Sequence, residues 1–61
     1  MSQLTSKELS GLEDILTQED ILIKKYQSYA TLCSDQAIKD KFSFLVSKHS
    51  EFYNTLLNQL Q

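Results

Sequence analysis

The run LSGLEDILTQEDILIKKYQSYATLC, Leu9 to Cys33, decides the fold. Its apolar residues recur at three- and four-residue spacing, the period of one face of an α-helix. Leu9, Leu16, Ile23 and Ala30 form one row, Ile15, Leu22 and Tyr29 another, and Leu12, Tyr26 and Cys33 lie between them. Glu19 falls in that middle row. Ile15, Leu16, Leu22 and Ile23 are its neighbours along the helix, so its carboxylate projects from the centre of an apolar stripe and requires a partner.

Working outward toward the start, Thr5 and Glu8 have the spacing of a capping box, and Leu4 and Leu9 that of a hydrophobic staple. The first helix is expected over about residues 6–33. Gly11 lies at the edge of its stripe, where a missing side chain suits close approach of another helix.

In the other direction, Ser34 and Asp35 are both good N-cap residues, so a short turn at 34–35 and a second helix over about 36–60 are expected. One glycine and no proline leave no sign of a long loop. The second helix repeats the pattern: Ile38, Leu45 and Phe52 on one flank, Val46, Tyr53 and Leu60 on the other, and Phe42 and Leu56 between. His49 completes that middle row, as Glu19 does in the first helix. Each lies about 14 residues from the turn, so at about 1.5 Å per residue an antiparallel pair brings them to nearly the same height.

The expected fold class is therefore all-α, a two-helix antiparallel hairpin forming a single domain over residues 1–61. Two helices cannot cover stripes this wide. Burial of the remaining rows, at roughly 25 cal/mol per Å², favours a second copy and a four-helix bundle. The rows assigned to the dimer core are Ile15, Leu22 and Tyr29 with Val46, Tyr53 and Leu60.

Bulk composition narrows the function. A chain of 61 residues, 41% hydrophobic and 23% charged, is at the small end of what folds alone. Its single cysteine, Cys33, and single histidine, His49, provide neither a disulfide framework nor a one-chain structural zinc site, leaving oligomerisation as the source of further stability. Cys33 reads as a small buried apolar side chain in a reducing compartment. Six lysines, no arginine and a net charge of -2 offer no basic stripe, so nucleic acid is not an expected partner. Met1-Ser2-Gln3 does not open a secretory leader, and no apolar run reaches the roughly 20 residues of a membrane span. A soluble, intracellular chain is expected, with no membrane partner.

Glu19 and His49 are the candidate site. Read structurally they are a buried polar pair, hydrogen-bonded within a chain or across a dimer, that fixes register. Read chemically they are half of a metal centre: two copies in a dimer would bring two glutamates and two histidines together, enough for one zinc or iron. Carboxylate-bridged bundles take a Glu-x-x-His from one helix, and here the corresponding segment is Val46-Ser47-Lys48-His49, with the acid missing. No cofactor is expected. No serine or cysteine shares the face of His49, so no hydrolytic triad is expected either. Tyr26, Tyr29 and Tyr53 read as core residues with hydroxyls at the rim. Ile21 and Phe44, on the outer faces at similar heights, form a candidate assembly patch.

Several groups of residues together resemble the short spore coat proteins of the coat F type: Leu12-Glu13-Asp14, Lys25-Tyr26 with Tyr29-Ala30, Asp35 with Ile38-Lys39, and His49 followed by Tyr53-Asn54-Thr55-Leu56-Leu57. The likeness spans about Leu9 to Leu60. It implies a ferritin-like hairpin, assembly into bundles and a structural role in or near the spore coat, with other coat proteins as further partners. It also implies that Glu19 and His49 are the remains of a ferritin-like metal site. Two departures stand out: Gln36 where such proteins often carry proline, and Phe52 in place of a second histidine. The resulting expectation is a non-catalytic structural homodimer, cytoplasmic or in the spore coat. Its rivals are a small ferritin-like zinc or iron protein and a cytosolic helical adaptor.

Overall fold

The structure, a computed structural model, describes residues 4–60; the Met1-Ser2-Gln3 start considered above for a leader lies outside them. Two helices, α1 (Ser6–Leu32) and α2 (Gln36–Asn58), form an antiparallel hairpin, with no strand among the described residues. None of these helices is long and apolar enough to cross a membrane.

Each helix begins on a side-chain cap. The Thr5 hydroxyl accepts from the Glu8 backbone N–H and the Thr5 N–H donates to the Glu8 carboxylate, both at 3.0 Å, which satisfies two N–H groups the first turn cannot. Asp35 caps α2, its carboxylate accepting from the Ile38 N–H at 3.0 Å. Between the helices, Cys33 is extended, and its own N–H still donates to the Tyr29 carbonyl. It therefore closes α1 as the cap rather than continuing it. At the far end α2 stops at Asn58, and Gln59 and Leu60 turn back on Leu56 and Leu57.

Little of this chain is inside. Leu16 is the one buried apolar side chain and Glu19 the one buried polar residue among the described residues. The exposed surface is 4688 Å², whereas a globular monomer of 7.0 kDa exposes about 4,000 Å². The radius of gyration is 14.3 Å against about 10.5 Å for a compact chain of this length. Gly11 has open space where a Cβ would sit, so nothing in the hairpin itself requires a glycine there.

Candidate functional site

Glu19 and His49 meet within one hairpin. His49 Nδ1 lies 2.6 Å from Glu19 Oε1, and as a carboxylate has no hydrogen to give, the ring N–H donates. A heavy-atom distance this short is typical of a charge-assisted bond. The two partners are not equally enclosed, with side-chain exposures of 10% for Glu19 and 27% for His49. Tyr26 packs against the imidazole at 5.5 Å between ring centroids, and Phe42 packs against Tyr26 at 6.1 Å and Tyr29 at 5.3 Å. The aromatic group lies on the turn side of the pair and shields it from water there. No buried side-chain nitrogen or oxygen among the described residues lacks a partner.

The flanks are arranged differently from the expectation. About a pair of antiparallel helices there is a local twofold axis, here passing by Glu19 and His49, and it carries each position of α1 onto the position of α2 at the same offset from the centre. Ile15, Leu22 and Tyr29 stand at -4, +3 and +10 from Glu19; Ile38, Leu45 and Phe52 stand at -11, -4 and +3 from His49. These six residues therefore share one side of the hairpin. Ile15 and Tyr29 are 43% exposed, Ile38 46% and Phe52 47%, while Leu22 and Leu45 are half-buried. On the other side Leu16 is buried and Ile23, Val46 and Tyr53 are half-buried, and among the described residues Leu9 and Leu57, near its ends, are exposed. Of the residues assigned to the dimer core, Ile15 and Tyr29 are exposed and Leu22, Val46, Tyr53 and Leu60 are half-buried, while α2 exposes Ile38 and Phe52 on the side of Ile15 and Tyr29.

The polar pair belongs to the open side. Glu19, Lys48, His49 and Phe52 line an open depression of about 240 Å³, and Lys48 and Phe52 are both open-side positions of α2. A second depression, lined by Lys24, Gln27, Ser28, Thr31 and Leu32, is a shallow part of the outer surface of α1. It holds no group of chemical interest.

The remaining candidates separate. Ile21 and Phe44 are 51% and 60% exposed, and the Lys48 ammonium lies 5.5 Å from the Phe44 ring centroid, so part of that ring is covered by its own helix. Cys33 is half-buried at the turn, its Sγ 3.6 Å from the Asp35 carbonyl oxygen. Among the described residues no group of three or more His, Cys, Asp or Glu side chains is placed to hold a metal ion. Glu19 and His49 contribute two such groups per chain.

No family model, curated protein or solved structure matches this chain.

Proposed function

We propose that this protein is a non-catalytic structural module that acts by self-association, two hairpins closing into a four-helix bundle. The observation that carries the reading is the open apolar side, on which Ile15, Tyr29, Ile38 and Phe52 are all more than two-fifths exposed. The sole histidine is hydrogen-bonded to Glu19, and among the described residues no nucleophile is bonded to it.

The extension of this role to the spore coat rests on the resemblance of Leu12 to Asp14, Lys25-Tyr26, Tyr29-Ala30 and His49 to Leu57 to coat F type proteins, and on nothing further. Under that reading the exposed Ile21 and Phe44 serve assembly with other coat proteins. Two measurements test the proposal. Sedimentation equilibrium should give a dimer whose helicity falls on dilution, and a compact, fully helical monomer at low micromolar concentration would refute self-association. Expression confined to sporulating cells is expected for a coat role, whereas steady expression during growth would favour a cytosolic adaptor.

A further inference from the structure

We infer that His49 Nε2 is a nucleophilic modification site for phosphoryl groups, activated by Glu19. The inference concerns the single hairpin and does not rest on self-association.

The bond that joins the helices fixes the state of the ring. Nδ1 donates to Glu19 Oε1 at 2.6 Å, so in the neutral imidazole Nδ1 carries the hydrogen and Nε2 the lone pair. Nε2 has no hydrogen-bond partner among the described residues, and none of their buried side-chain nitrogens or oxygens lacks one, so Nε2 meets solvent. His49 also lines the open depression of about 240 Å³ with Glu19, Lys48 and Phe52, which leaves room for a small reagent beside the ring.

Glu19 stands to this ring as the buried carboxylate of a hydrolytic triad stands to its histidine. Attack through Nε2 turns the ring into a cation, and a carboxylate held on Nδ1 stabilises that cation as it forms. The Glu19 side chain is only 10% exposed, so little water screens its charge from the ring. The same contact occupies Nδ1 and leaves one ring nitrogen to react.

Charge selects the electrophile. Glu19 is the one acid lining the depression, and its carboxylate is engaged with the ring. Lys48 supplies the one cation. Its ammonium lies 3.8 Å from Glu51 and 5.5 Å from the Phe44 ring centroid, loose contacts of a side chain 56% exposed, so it is free to turn toward phosphoryl oxygens. With phosphoramidate as donor, the Nε2 lone pair forms the new N–P bond and the donor's P–N bond breaks. The protonated donor nitrogen leaves with that electron pair as ammonia. The ring, substituted on Nε2 and still protonated on Nδ1, carries a positive charge that Glu19 neutralises.

His49 is the only histidine, so treatment with potassium phosphoramidate, followed by mass and by phosphorus NMR, reads this site alone. A histidine that is merely structural and partly enclosed reacts more slowly in the folded chain than in the unfolded one. The expected result is the opposite: Nε2-phosphohistidine forming about tenfold faster in the helical chain than in the same chain unfolded in urea, the difference between a charge-assisted and a neutral hydrogen bond. Glu19→Gln, which keeps an acceptor and removes the charge, should lose that advantage, with circular dichroism checking that it is helical. Lys48→Gln should slow phosphoramidate while leaving the reaction of His49 with neutral diethyl pyrocarbonate unchanged. Slower reaction in the folded chain, or substitution on Nδ1, overturns the proposal without any variant. An unchanged rate in Glu19→Gln overturns the activation, and a Lys48→Gln effect that is absent, or equal for both reagents, overturns the assignment to phosphoryl groups.

Discussion

Replacing Glu19 and His49 by leucine, singly and together, separates what the pair contributes from what each side chain does alone. His49→Leu leaves a carboxylate that is nine-tenths enclosed without its partner. Removing one member of a fully buried pair costs about 3–5 kcal/mol. Glu19 shares its depression with Lys48, whose ammonium can move toward the abandoned carboxylate, so the lower figure of ~2 kcal/mol is expected here. Glu19→Leu leaves an imidazole whose side chain is 27% exposed and can take a water, and the new leucine adds apolar burial. Its net cost should be ~1 kcal/mol or less. The double replacement leaves no unpaired group and should recover most of the loss, giving a coupling energy of about 1–2 kcal/mol. Urea unfolding of all four proteins at one protein concentration, held well above the dissociation constant, measures this cycle, because for a dimer apparent stability depends on concentration. Additivity within about 0.5 kcal/mol would refute the coupling. A larger loss for Glu19→Leu than for His49→Leu would refute the burial argument even if coupling were found.

Three further outcomes follow from the caps and the site. Asp35→Ala removes the acceptor for the Ile38 N–H and should cost about 1 kcal/mol in the same assay, with Asp35→Ser restoring most of it. Glu8 is held below the usual glutamate value of 4.5 by the Thr5 backbone N–H and hydroxyl. Its contribution is therefore complete above 4.5 and lost as pH falls through its lower value in the folded state; an NMR titration should find the Glu8 carboxyl ionising below 4.5, and moving only part of the way back in Thr5→Ala, which removes the hydroxyl and keeps the backbone N–H, whereas a value at or above 4.5 in the unsubstituted chain would count against the capping box. Treatment with EDTA should leave the helical circular dichroism and the thermal midpoint unchanged, since the apolar rows are complete without metal; a large drop reversed by stoichiometric zinc or iron, and absent in Glu19→Gln, would favour the metal-protein reading.

Much of the hairpin was legible because local and long-range signals agree. Thr5 with Glu8 and Asp35 before Gln36 mark the two helix starts, and the middle rows around Glu19 and His49 align once the turn is placed. Helix ends were read less well: Cys33 has helical neighbours and an apolar side chain, yet it carries the extended backbone that turns the chain, and Leu60 follows the apolar period of α2 while lying past its end. Periodicity reports which residues share a face and not where the backbone leaves the helix. Two rows flank each centre, and which row of α2 lies on the side of Ile15 and Tyr29 follows from the antiparallel sense of the two helices, which periodicity in a single helix does not contain.

The same periodicity shows why a polar pair belongs at the centre of so small a core. Ile15, Leu22 and Tyr29, like Ile38, Leu45 and Phe52, are spaced by seven, so sliding α2 along α1 by seven residues would bring apolar rows against apolar rows again. Such a slip keeps apolar rows in contact and gives up about 10 Å of helix overlap. The slipped registers would instead set Glu19 against Phe42 or against Leu56 and leave His49 facing apolar neighbours, each with an unpaired buried polar group costing several kcal/mol. Glu19 and His49 thus add little to the depth of the native state and much to its separation from its nearest competitors, as a single buried asparagine does in a coiled coil. The double leucine variant should accordingly keep its helicity and stability while losing uniqueness. Its amide NMR spectrum should show more than one set of resonances, where the unsubstituted chain shows one. A single sharp set from the double variant would mean that the turn, with its Asp35 cap, fixes the register by itself.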